Sequence, residues 1–192
     1  MKKKLIIVLI AVLSIITITG CGTQKENNEN KTNNEKADNK IAIIYFSATG
    51  NTEEVAKTIN DITGGELIEI IPKNEYTSAD LNYNDNNTRA TKEQNDSSSR
   101  PEIKNNINVD YDVIYLGYPI WWGDVPHIIL TFIDTYNLEG KTIIPFCTSG
   151  SSSIDNSMNT LKSYNKNINW VNGKRLTNDK KEIENWINSL NY

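Results

Sequence analysis

Six small and polar residues follow the apolar run of residues 41–46, namely Ser47, Ala48, Thr49, Gly50, Asn51 and Thr52. Beyond them, Val55, Ile59 and Ile62 have the i, i+4, i+7 spacing of one helical face. Hydroxyls and backbone N–H groups at a helix start, with a glycine that lets the chain turn, can hold a phosphate without a lysine. The same residue types also occur as ordinary helix caps, so this loop alone leaves both interpretations open.

A second loop of unusual composition places two tryptophans side by side after another apolar run, in the order Pro119, Ile120, Trp121, Trp122 and Gly123. Exposing two indoles is unfavourable, and a planar aromatic ligand stacked on one of them would cover it. Alternatively, both rings pack in the core or seal an interface. A phosphate loop and an aromatic platform together predict a mononucleotide ligand with a large flat ring.

The third such loop consists of Thr148, Ser149 and Gly150 after the apolar run that ends at Cys147. In an open parallel sheet, ligands bind outside the carboxyl ends of the strands, where the strand order reverses. We therefore expect all three loops to line the same crevice.

Alternating apolar runs and helical patterns indicate how these loops are positioned. Strands are predicted near residues 41–46, 65–72, 112–119, 141–150 and 168–176, and helices near 52–62, 124–136, 154–164 and 178–190. This alternation predicts an α/β fold with a parallel sheet and helices on both faces. Residues 74–108 are polar and turn-rich, and we interpret them as a surface excursion with one helix and no assigned role.

The chain begins with three lysines, an apolar stretch and then small residues around Cys21, which is the order of a secretory signal. The apolar stretch is shorter than the roughly 20 residues that a transmembrane helix needs, which disfavours a permanent membrane span. The ending Ile18-Thr19-Gly20-Cys21 resembles the lipobox of bacterial lipoproteins, which implies a signal peptide over 1–20 and a lipidated Cys21. Residues 21–40 are polar and predicted to be a flexible tether, so the globular domain is placed at 41–192.

Charge and cysteine content exclude several classes of protein. Residues 41–192 carry 13 Lys and Arg against 20 Asp and Glu, which disfavours nucleic acid as a partner and favours redox or basic proteins. With Cys21 assigned to the anchor, only Cys147 remains, so neither an intramolecular disulfide nor a multi-cysteine metal site is expected. Cys147 is interpreted as a core thiol, and His127, the single histidine, as a surface residue at a helix start. The phosphatase motif C-x5-R is absent, because Ser153 stands where the arginine would be.

Taken together, the three loops resemble those of the flavodoxin family, most closely members whose second flavin loop reads G-Y-P-x-W-W. The resemblance runs from about Ile41 to the carboxyl terminus. It implies a five-stranded sheet of order 2-1-3-4-5 and flavin mononucleotide (FMN) as cofactor. Residues 47–52 would bind the phosphate, residues 119–122 would line the flavin ring, and residues 148–150 would bond its polar edge. Relatives often have a second glycine where this chain has Ser151.

The flavodoxin resemblance implies electron transfer with redox protein partners. The lipobox resemblance implies a lipid-anchored position on the outer side of a bacterial cytoplasmic membrane. Acidic and aromatic surroundings predict a low reduction potential, since both disfavour the anionic reduced flavin. Gly123 is a candidate for a peptide that reverses to bond the reduced ring. One alternative is an FMN-dependent NAD(P)H reductase of quinones or flavins, although G-x-G-x-x-G is absent. Another is a flavin-free surface protein that binds sugars or peptides on its tryptophans.

Overall fold

The computed structural model describes residues 39–192; the predicted signal peptide, Cys21 and nearly all of the tether lie outside the described residues. Strands span β1 Ile41–Tyr45, β2 Glu66–Glu69, β3 Val113–Pro119, β4 Thr142–Thr148, β5 Asn169–Trp170 and β6 Lys174–Arg175. Helices span α1 Asn51–Thr63, α2 Arg89–Asn95, α3 His127–Thr135, α4 Asp155–Tyr164 and α5 Lys180–Ser189. Between residues 39 and 192, none of these helices is both long and apolar enough to cross a membrane.

All strands of the sheet run parallel in the order β2-β1-β3-β4-β5, which confirms the predicted doubly wound fold. The chain goes from β1 outward to β2 and then returns across β1 to β3. The strand order therefore reverses between β1 and β3. The loops after β1 and β3 leave the sheet at this point, where an open α/β sheet forms a crevice.

Two apolar cores lie on the two faces of the sheet. Helices α1 and α5 cover one face, where Ile43 and Tyr115 of the sheet pack in one cluster with Ile59 and Ile183 of the helices. On the other face, Ile44 and Leu116 pack with residues of α2, α3 and α4. Because both faces are covered, the central strands read as continuous apolar runs instead of alternating ones.

The fifth position of the sheet differs from the prediction, because residues 168–176 form two short strands instead of one. The carbonyls of Ile143 and Cys147 accept bonds from the N–H groups of Val171 and Leu176. Pro145, midway between them, faces the same edge but has no N–H to donate. The ladder is therefore interrupted opposite Pro145, and β5 and β6 pair separately with the two ends of β4.

The polar excursion between β2 and β3 is folded and contains one helix, α2, as predicted. Thr88 caps the helix by accepting a bond from the Thr91 N–H, and Ala90 is fully buried. An antiparallel bridge between Pro72 and Ile103 brings the two ends of the excursion together. The excursion therefore packs on the sheet and reaches the edge that carries the three loops.

Candidate functional site

Helix α1 begins at the carboxyl end of β1 with its first N–H groups free of any side-chain cap. The residue before the helix, Gly50, has φ 86°, a left-handed conformation that favours glycine. The Oγ of Ser47 is buried without a hydrogen-bond partner, and the Asn51 amide donates to the Thr49 hydroxyl, which leaves the Thr49 proton free. Uncapped N–H groups, an unpaired buried hydroxyl and the positive end of a helix form a suitable anion site.

Thr52 belongs to the same loop but has a different environment. Its side chain is almost fully buried, and its hydroxyl lies 2.8 Å from the hydroxyl of Thr148 at the end of β4. This bond joins the first loop to the third loop. Thr52 therefore fixes the relative position of the two loops, and its oxygen is already paired.

The two tryptophans lie in a tight turn between β3 and α3. Trp121 and Asp124 exchange two backbone hydrogen bonds of 2.9 Å each. The two residues between them, Trp122 with φ 48° and Gly123 with φ 80°, both have left-handed backbones, as in a type I′ turn. This conformation is unfavourable for Trp122 by about 1–2 kcal/mol. A strained residue of this kind often marks a functional site.

The structure distinguishes the two indoles, which the sequence could not do. Trp121 is 7% exposed, and its ring packs edge-on against Phe46 at 5.4 Å and Tyr76 at 4.9 Å between centroids. Trp122 is 38% exposed and touches only the edge of Tyr83 and of its neighbour Trp121 among the described aromatic rings. One tryptophan therefore belongs to the core and the other is available to a ligand.

Polar side chains from two helices hold this turn in place. From α2, the Gln94 amide donates to the carbonyls of Trp121 and Val125. From α4, Asn156 donates to the Gly123 carbonyl at 3.0 Å, and Thr160 donates to the Asp124 carboxylate at 2.7 Å. The sequence did not identify these contacts, because Gln94, Asn156 and Thr160 are distant in the chain and carry no motif.

The third loop turns sharply after β4 without a left-handed glycine. The Ser149 hydroxyl donates to the carbonyl of Ser152 at 2.5 Å, and the Arg175 guanidinium donates to the carbonyl of Ser149 at 3.3 Å. A second glycine at position 151 is therefore not needed to form a turn here.

One cavity of about 440 Å³ lies where the three loops meet. Eleven of the fourteen predicted ligand-binding residues line it, namely Ala48, Thr49, Asn51, Thr52, Pro119, Ile120, Trp121, Trp122, Thr148, Ser149 and Gly150. The other three, Ser47, Gly50 and Gly123, lie in the same loops but are outside its wall. Seven wall residues were not predicted: Glu54, Val55, Leu81, Tyr83, Leu176, Thr177 and Asn178.

Leu81 and Tyr83 reach the cavity from the polar excursion, to which the sequence assigned no role. Tyr83 is 72% exposed, the highest exposure among the large apolar residues described. A single aromatic residue within the polar run Asn82–Asn87 was the signal that could have identified it.

The wall of the cavity contains one charged residue, Glu54, and no lysine or arginine. An anion there would depend on N–H dipoles and hydroxyls alone, as the loop composition predicted.

Cys147 and His127, the two other residues whose roles the sequence left to be decided, lie outside the cavity wall. Cys147 is fully buried, and burial raises the pKa of its thiol to about 12, as expected for a core residue. His127 begins α3 as expected but is only partly exposed, and desolvation lowers its pKa.

A doubly wound parallel sheet with an anion site at a helix start and an aromatic platform, both at the reversal of strand order, defines a nucleotide-binding α/β protein. The chain belongs to the flavodoxin family, because the family model described as flavodoxin matches residues 40–190. No protein among those with curated functions matches the chain.

Several solved structures are similar to this chain. A candidate flavoprotein from Bacteroides eggerthii is 45% identical with a TM-score of 0.75, over 79% of this chain and 97% of that one. A second, from Bacteroides uniformis, is 42% identical with a TM-score of 0.76, over 78% and 98%. A flavoprotein from Lactobacillus acidophilus, solved in complex with FMN, shares the fold at 24% identity with a TM-score of 0.59, over 78% and 99%.

Proposed function

We propose that this protein binds FMN and transfers electrons between redox proteins outside the bacterial cytoplasmic membrane. The observation that carries the proposal is the cavity itself. It brings an uncapped helix start and a half-exposed tryptophan into the wall of one space of about 440 Å³. A mononucleotide with a flat ring needs both features, and membership of the flavodoxin family makes FMN the mononucleotide expected here.

Each part of the ligand has suitable partners among the described residues. The first N–H groups of α1 and the hydroxyls of Ser47 and Thr49 would donate to the phosphate. Trp122 would cover the ring and exclude water, while residues 148–150 would offer backbone N–H groups to its polar edge. The bound flavin supplies the redox chemistry.

The surroundings of the cavity would influence the reduction potential. Glu54 in the cavity wall would disfavour added negative charge on the ring, which supports the expected low potential. The left-handed backbone at Gly123 permits a peptide that reverses its orientation, although its carbonyl now accepts a bond from Asn156. Reversal would require that bond to break.

The direct test uses the visible absorption spectrum of the chain from Asn39 onward, before and after addition of FMN and removal of the excess. About one flavin per chain, reduced in two separate one-electron steps, would support a carrier. Steady oxidation of NADH or NADPH by the pure protein would favour the reductase instead. Failure to take up FMN at micromolar concentration would favour a flavin-free binding protein.

The lipid anchor is proposed on the sequence around Cys21 alone, which lies outside the described residues. Two acyl chains would hold the protein stably at the membrane, since each buried methylene contributes about 0.8 kcal/mol to membrane binding.

The tether would let the domain reach its partners, and the excess of acidic residues in the domain suits basic redox proteins. Changing Cys21 to alanine should move the protein from the membrane fraction to the soluble fraction, and an unchanged distribution would contradict the anchor.

A further inference from the structure

The side-chain amide of Gln94 contacts the backbone on both sides of the Trp122 turn. Its Nε2 lies 3.3 Å from the carbonyl oxygen of Trp121 and 3.3 Å from that of Val125. A primary amide carries two N–H groups, so one nitrogen can donate to both carbonyls at once. Helix α2 is therefore bonded to the residues that come before and after the turn.

The other end of the same amide has an unfavourable environment. Oε1 of Gln94 is buried and has no hydrogen-bond partner among the described residues. Both neighbouring carbonyls can only accept, so the orientation of the amide is set by them. A buried acceptor without a partner is destabilising, and an apolar side chain here would avoid that penalty. Packing alone therefore does not explain a glutamine at this position.

The helix that carries Gln94 is firmly attached to the rest of the excursion. The Arg89 guanidinium donates to the carbonyl of Asn74 at 2.8 Å and lies 3.7 Å above the Tyr76 ring. The Tyr76 hydroxyl donates to Glu93 at 2.6 Å, and its ring packs on Trp121. Gln94 is thus held on a fixed support beside the turn.

We propose that Gln94 is a positioning residue that keeps the Trp122 turn in its left-handed conformation and so places the indole at the cavity. A left-handed backbone is unfavourable for a tryptophan, so hydrogen bonds from another element are needed to stabilise the turn. The Gln94 amide supplies two such bonds. The excursion between β2 and β3 then acts as the support of the aromatic platform. That the positioned indole serves a flavin rests on the proposed function.

Two variants remove the donors in different ways. Gln94→Met keeps the length of the side chain without an N–H, and Gln94→Glu keeps its shape but turns a carboxylate toward the carbonyls. The matched control is Asn95→Asp, the same amide-to-acid change on an exposed neighbour of the same helix whose side chain has no hydrogen bond recorded in the described structure. The full-length chain is used throughout.

The first measurement is amide hydrogen exchange in the protein without FMN. Both Gln94 variants should speed exchange at the Trp121 and Asp124 amides by about tenfold, because opening of the turn becomes easier. Amides of β3, such as that of Leu116, should exchange as in the unchanged protein. Unaltered exchange at the turn would overturn the proposal, as would faster exchange throughout β3, which would indicate a structural role.

The second measurement is FMN binding and the two one-electron potentials. Both variants should raise the dissociation constant by about tenfold and shift the potentials, whereas Asn95→Asp should change neither. Wild-type affinity and potentials in both variants would contradict the proposal. If the unchanged protein takes up no FMN, the proposed function fails, and hydrogen exchange at the turn still decides whether Gln94 positions it.

Discussion

The side-chain hydroxyls of Thr52 and Thr148 lie 2.8 Å apart and join the start of α1 to the end of β4. The two residues are 96 positions apart in the chain. Thr52 is almost fully buried, whereas Thr148 is partly buried and lines the cavity, so the bond holds two walls of the cavity together at its edge with the core.

Replacing Thr52 by valine, which keeps the volume of the side chain, should lower the free energy of unfolding by about 0.5–1.5 kcal/mol, because it removes the hydrogen bond to the Thr148 hydroxyl. FMN affinity should fall as well, since the first and third loops lose their connection. Urea unfolding and FMN titration measure the two effects.

The Thr148→Val variant and the double variant complete the cycle. The double variant should lose less free energy of unfolding than the sum of the losses in the two single variants, and the difference should be about 0.5–3 kcal/mol. Additive costs would show that the two hydroxyls act independently. Thr49→Val is the useful comparison, because it should weaken FMN binding with little effect on stability.

Replacing the two tryptophans by alanine should give opposite results. Trp122→Ala should leave the fold intact, because the ring is 38% exposed, but should weaken FMN binding by about 0.5–1.5 kcal/mol or more if the ring stacks on the flavin. Trp121→Ala should reduce the free energy of unfolding by about 3–5 kcal/mol, since its ring packs on Phe46 and Tyr76. Thermal unfolding without FMN and FMN titration separate the two outcomes.

Trp122→Gly provides a control for backbone strain. Glycine tolerates φ near 48°, so this variant should be more stable than Trp122→Ala while binding FMN equally weakly. If Trp121→Ala weakened FMN binding without loss of stability, Trp121 would be the ligand-facing indole and the assignment would be reversed.

Neutralising Glu54, the charged residue in the cavity wall, should strengthen FMN binding. A carboxylate near the start of α1 repels the phosphate and the reduced ring, and its removal should tighten binding by about 0.3–1 kcal/mol and raise the reduction potential. The gain of Glu54→Gln should shrink as salt increases, because ions screen the repulsion over about 10 Å at 0.1 M. Glu184→Gln, an equal charge change on an exposed part of α5 away from the cavity wall, should have no effect. Equal gains from both variants would point to net charge and not to the site.

His127 should make the protein less stable as the solution is acidified below neutral pH. Desolvation, followed by the nearby Arg100, lowers the pKa of His127 in the folded state, against partial opposition from Asp124, Glu93 and Asp96. Unfolding therefore takes up a proton, so stability present above pH of about 6.5 is lost as the pH falls through that value. Urea unfolding at pH 7.5 and 5.5 measures this loss.

The variant His127→Asn should lose less stability over the same interval, because His127 is the single histidine of the chain. Glu69, whose pKa is raised by burial, changes stability in the opposite direction and is common to both proteins. Equal losses would mean that carboxylates and not His127 control the pH dependence.

Much of the fold could be predicted from local patterns. Apolar runs bounded by polar loops identified the central strands, and i, i+4, i+7 spacing identified α1 and α5. The alternation of strands and helices, together with the family resemblance, predicted the order of strands in the sheet. In a parallel sheet of that order, the loops after β1, β3 and β4 must meet at one edge. These features follow from short-range periodicity, which a single sequence records directly.

The tertiary structure alone decided which groups in those loops are free. Trp121 is buried because Tyr76 and Phe46 pack on it, and Thr52 is paired because Thr148 lies opposite. Likewise, Tyr83 reaches the cavity because the excursion folds back over the sheet edge. Neighbours in the sequence, such as Trp121 and Trp122, have the same composition around them but opposite exposures. Their difference arises from contacts between residues far apart in the chain, and periodicity contains no information about such contacts.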